Sequence, residues 1–63
     1  MKVNRKKLTL ARARACMGQK DLEAAGIPKV TLSRIMNGGE ARPETIGKLA
    51  RALGCDVTDI IDN

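Results

Sequence analysis

Lys29, Val30, Ser33 and Arg34 stand at i, i+1, i+4 and i+5, a spacing that gathers side chains on one side of an α-helix. Together they offer two cations, a hydroxyl and a branched apolar group. An arginine can donate two hydrogen bonds to the O6 and N7 edge of guanine, and a valine can touch the methyl of thymine. A lysine can serve guanine or a phosphate, and a serine can donate or accept. The pattern therefore predicts base-edge readout in the wide groove of a duplex. The bland alternative is a solvated helix face, because surface cations are common.

The rest of the inventory excludes most catalysis. The 63 residues contain no His and no aromatic side chain, and Ser33 is the single serine. A Ser/His/Asp or Cys/His relay cannot be assembled. Two cysteines without histidine do not close a zinc site. The expectation is a non-enzyme with no cofactor, no metal and no small-molecule ligand. No apolar run exceeds three residues (Ala15-Cys16-Met17), so neither a membrane span nor a signal-peptide core is expected, and the chain reads as cytoplasmic. Cys16 and Cys55 could bridge in principle. In a reducing compartment they read instead as two small buried hydrophobes.

Charge points outward. Twelve Lys and Arg against seven Asp and Glu give a net charge of +5. The excess is uneven: residues 1–34 carry nine bases and two acids, residues 35–63 three bases and five acids. That split predicts a basic face turned toward an acidic partner.

The candidate face needs a scaffold, and the chain predicts an all-α one, in a single domain over residues 1–63. A chain of this length buries only about 60% of its unfolded surface, so the core is small. Glycines and prolines cut it into five segments of helical period. The first runs from Asn4, a plausible N-cap, to Cys16, with Leu8, Ala11 and Ala15 as its apolar stripe. Arg5, Lys6 and Lys7 sit in its first turn, where cations oppose the helix dipole, which points to a role outside the fold. The second is Gln19 to Ala25, closed by Gly26. The third begins at Pro28, which suits a first helical turn, and ends at Asn37 before Gly38. The fourth starts after Arg42-Pro43 and carries the clearest stripe, Ile46, Leu49, Ala50 and Leu53, before Gly54. The fifth, Asp56 to Ile61, has Asp56 as N-cap and Asp59 three residues on, as in a capping box. Segments two and three are separated only by Gly26-Ile27, the plan of a helix-turn-helix.

The stretch Gly26-Ile27-Pro28-Lys29-Val30-Thr31-Leu32-Ser33-Arg34-Ile35-Met36-Asn37-Gly38, followed by Leu49-Ala50-Arg51-Ala52-Leu53-Gly54 and Ile60-Ile61, resembles the lambda-repressor/Cro type of helix-turn-helix domain. The resemblance covers nearly the whole chain. It implies a five-helix DNA-binding domain of a bacterial or phage transcription regulator. Helix three would be the recognition helix, and helix two would cross the backbone. On this resemblance Gln19 matches a phosphate-contacting position at the start of helix two. Lys29, Val30 and Arg34 match base-reading positions, with Ser33 beside them. Arg42 matches a backbone-contacting loop. The chain departs from the family in three places. Three residues rather than four separate Leu22 from Gly26. Pro28 replaces a capping Ser or Thr. Met36 stands where the family often has a Glu that pairs with an arginine of helix one. The arginine here is Arg12, which Met36 leaves without a partner, so Arg12 is expected to turn toward a phosphate or another carboxylate.

The expected function is sequence-specific binding of double-stranded DNA, with Arg12, Gln19 and Arg42 on the backbone. One such domain reads few base pairs, so a homodimer on half-sites about 34 Å apart is expected. Val57, Ile60 and Ile61 would form its surface or close the monomer core, and both can hold, since the side chains cannot all face one way. The alternative is a protein-interaction module, an antitoxin or adaptor with weak DNA affinity. The lack of aromatic residues argues against a large protein hot spot, against membrane anchoring and against stacking on single strands.

Overall fold

Asn4 opens the first helix as its type predicts: its side-chain oxygen accepts a hydrogen bond from the Lys7 N–H at 3.0 Å. The computed structural model describes residues 1–62. It contains α1 (Arg5–Ala15), α2 (Gln19–Ala24), α3 (Lys29–Met36), α4 (Pro43–Leu53) and a three-residue 3-10 turn, Val57–Asp59. The expected count of five helices is therefore corrected to four helices and a turn. The capping chemistry of the fifth segment is nevertheless present. Asp56 accepts from the Thr58 N–H, and Asp59 accepts from the Asp56 N–H at 3.1 Å. Ile61 then leaves the turn to pair with Val3 in an antiparallel bridge, which leaves no length for an α-helix.

All four helices end the same way. At each C-terminus two successive N–H groups fold back onto carbonyls of the last turn, the Schellman arrangement. The outer bonds are Met17 to Arg12, Ile27 to Leu22, Gly39 to Arg34 and Cys55 to Ala50. The inner bonds are Cys16 to Ala13, Gly26 to Glu23, Gly38 to Ile35 and Gly54 to Arg51. The motif needs a left-handed residue. Gly26, Gly38 and Gly54 supply it at three ends, and Cys16 at φ 55° supplies it at the fourth. α2 is held at its start by Asp21, whose Oδ2 accepts from the Gly18 N–H at 2.8 Å.

The core joins the apolar faces of all four helices. Leu8 and Ala11 of α1, Leu22 of α2, Leu32 and Ile35 of α3 and the full stripe Ile46, Leu49, Ala50 and Leu53 of α4 are buried. Ile27, in the turn between α2 and α3, is buried with them. Ile60 and Ile61 close this core, at 0% and 7% exposure, so these two side chains do not form a dimer surface; Val57 is partly buried. No polar or charged residue is buried among the described residues. Every cation is thus left at least partly on the surface.

The segment before α1 is extended. Lys2 pairs with Glu40 and Val3 with Ile61, both antiparallel. These contacts were not predicted, since four residues are too short to show alternation.

Candidate nucleic-acid interface

α3 has one buried side and one open side. Leu32 and Ile35 are buried, and Met36 is partly covered. Lys29, Val30, Ser33 and Arg34 are all exposed, Val30 at 71%. Together with Asn37 they line a single shallow depression. Lys29 and Arg34 thus face solvent on the same side of the molecule, and no other segment lies over them. An exposed valine flanked by cations loses apolar surface to water unless something covers it. Asn37 was not singled out from the sequence; its place in the final turn brings it onto the same face.

The amide end of α3 is open. Pro28 gives no side-chain cap, so the first N–H groups of the helix are not held by a capping group. The other end is closed tightly. A Cβ placed on Gly39 would lie 2.6 Å from Arg34 Cγ and 2.9 Å from the Arg34 carbonyl oxygen. Glycine at 39 therefore lets the chain turn directly beneath Arg34. Sequence reasoning saw Gly39 only as a second glycine after the helix, because the requirement lies in a tertiary contact.

The three expected backbone residues occupy different places. Gln19 is half-buried at the first position of α2. Arg42 is exposed and immediately precedes Pro43 at the start of α4. It lines a groove of about 590 Å³ with Thr31, Arg34, Glu40 and Thr45. Arg12 is half-buried, and the expectation that Met36 leaves it without a contact is corrected. Its Nη1 lies 3.7 Å from Met36 Sδ, and its Nε donates to the Met17 carbonyl at 3.4 Å. Met36 thus offers a soft acceptor where no partner was expected. Both contacts are long, and neither supplies an opposite charge.

Two of the first-turn cations are engaged inside the fold. Arg5 donates to the Met36 carbonyl at 3.3 Å, at the C-terminal end of α3. Lys7 donates to the Ile61 carbonyl at 3.4 Å. The cysteines are unbridged, as expected, but Cys16 departs from the expected burial. Both are free; Cys16 is exposed and Cys55 is half-buried. Burial first, and then the Asp59 carboxylate, raise the Cys55 thiol above its ordinary value. That shift disfavours the thiolate.

No cluster of three or more His, Cys, Asp or Glu with metal-site geometry occurs among the described residues. No helix among the described residues is long and apolar enough to cross a membrane.

A short helix braced across a glycine turn, with its outer face polar and cationic, is the working part of a DNA-binding helix-turn-helix domain. The helix-turn-helix family model matches residues 17–60, and the chain belongs to that family, of the lambda-repressor/Cro type. No curated protein and no solved structure matches the chain.

Proposed function

We propose that this protein is a sequence-specific binder of double-stranded DNA, a small transcription regulator of bacterial or phage type that works as a repressor. Its α3 enters the major groove with Lys29, Val30, Ser33 and Arg34 against base edges. Arg42 and Gln19 seat the domain on the phosphate backbone. Arg12 joins them by exchanging its weak contacts with Met17 and Met36 for a phosphate oxygen, a charge-assisted bond of roughly twice the strength of a neutral one. The observation that carries this reading is the exposure of Lys29, Val30, Ser33 and Arg34 on one uncovered face of α3.

The division of labour is physical. Phosphate contacts release condensed counterions and supply affinity that falls steeply with salt. Base contacts supply selectivity, about 1–3 kcal/mol for each good bidentate pair. The Cα extents are 25 × 22 × 19 Å, so one copy spans less than the roughly 34 Å between successive half-sites. Two copies on a two-fold site are therefore the economical way to lengthen the sequence read.

The test is binding to random duplex DNA at two salt concentrations. Binding at low salt that weakens sharply at high salt is expected. Arg42→Ala and Gln19→Ala should lower affinity on every sequence alike. No measurable binding at low salt would overturn the reading in favour of a protein-interaction module.

A further inference from the structure

The loop from α3 to α4 carries Arg42 and is fixed at its two ends by those helices. Gly38 and Gly39 open it, and Arg42 has no side-chain capping bond at the start of α4. The Gly38 and Gly39 N–H groups are bonded to the end of α3, and the Arg42 carbonyl accepts from the Ile46 N–H at 3.0 Å, which leaves Glu40 and Ala41 between them. The restraint on these two comes from outside the loop. The Ala41 N–H donates to the Met1 carbonyl at 2.9 Å, and the Met1 nitrogen donates to the Ala41 carbonyl at 2.9 Å. Lys2 pairs with Glu40, one residue back. Both polar backbone groups of the residue before Arg42 are thus held by the segment preceding α1.

That segment is itself anchored on its other side. The Lys2 carbonyl accepts from the Asp62 N–H at 2.9 Å, and the Asn4 N–H donates to the Ile60 carbonyl at 2.8 Å. Val3 pairs with Ile61, and its side chain is buried in the core. Residues 1–4 therefore run between the tail and the loop, tied to both. Arg34 and Arg42 line the same groove, and Met1 lies in its wall.

We propose that residues 1–3 are a strap, anchored by Val3, that holds the α3–α4 loop and thereby sets Arg42 at a fixed distance from Arg34 for binding to DNA. The proposal rests on the reading of Arg42 as a backbone contact. The strap residues are positioning residues: they touch the loop and leave the phosphate to Arg42. A free loop would have to be ordered on binding, at the expense of affinity; a strapped one is ordered beforehand.

The experiment combines amide exchange with a double-mutant cycle on duplex DNA at low salt. Val3→Ala weakens the anchor, and Val3→Ile keeps it apolar as the control. Val3→Ala should speed exchange at the Ala41 amide while the Leu49 amide in α4 stays protected, which shows that the fold is intact. It should lower duplex affinity by about threefold to tenfold in the natural background and by less than about twofold beside Arg42→Ala. Val3→Ile should behave as the natural protein. Equal affinity loss in both backgrounds would overturn the proposal, and so would unchanged Ala41 exchange. If the protein bound no duplex at all, the functional reading would fall by itself. Ala41 exchange would then decide alone whether the strap holds the loop.

Discussion

At the scale of single residues, the candidate site was readable from side-chain chemistry and helical spacing. Lys29, Val30, Ser33 and Arg34 share an open face because Leu32 and Ile35, on the other side of the helix, are buried. What could not be read was any contact made by approach from elsewhere. Gly39 beneath Arg34, Asn37 beside it, and the Met36 sulfur at Arg12 all depend on tertiary placement. Two predictions belong here. Arg34→Ala should lose about tenfold to a hundredfold at the preferred site and much less on unrelated duplexes, flattening base preference at one position. Competition binding with a set of single-base variants reads this directly. Arg12→Met should weaken duplex binding more than thermal stability, since the folded state gives that cation only two long contacts. A large drop in Tm with unaltered binding would assign Arg12 to the fold alone.

At the scale of elements, the positions and ends of the four helices followed from period and punctuation, while the length of the fifth segment did not. The Ile46–Leu49–Ala50–Leu53 stripe and the stops at Gly26, Gly38 and Gly54 marked three helices closely. The fifth segment showed its caps but not its brevity, because the bridge between Ile61 and Val3 that ends it is a long-range event. Cys16 misled for a related reason. Cysteine is usually buried, but this one occupies the left-handed position where the other three helices have glycine, and it is exposed. A side chain in that conformation costs on the order of 1 kcal/mol. Cys16→Gly should therefore raise Tm by a few degrees in thermal denaturation. An unchanged or lower Tm would show that the Cys16 side chain stabilises this helix end. The turn at Asp56 carries a pH dependence. The Thr58 hydroxyl and then its N–H donate to the Asp56 carboxylate and lower its pKa. A carboxylate lowered in the folded state stabilises fully above its unfolded value and loses that contribution as pH falls through the folded one. Asp56→Ala should thus melt below the natural protein at neutral pH, and the gap should close below about pH 4.

At the scale of the whole molecule, the charge split visible in the sequence is partly taken up by folding. Arg5 and Lys7 satisfy carbonyls at the end of α3 and in the C-terminal tail, so the basic first turn of α1 braces the fold as well as adding positive field. The fold itself was legible as an all-α domain because every core residue except Val3 falls on a helical stripe, in a turn or in the C-terminal tail. The extended segment at residues 1–4 was invisible, since its partners lie about 40 and 60 positions away. Ile60 and Ile61 are buried, so neither offers its side chain to a second copy. The most direct test of the central claim is selection of bound duplexes from a random pool, run in parallel with the natural protein and with Arg34→Ala. One enriched motif is expected for the natural protein, and the loss of preference at a defined base for the variant. Recovery of no enriched sequence by the natural protein, or of the same motif undiminished by Arg34→Ala, would contradict it.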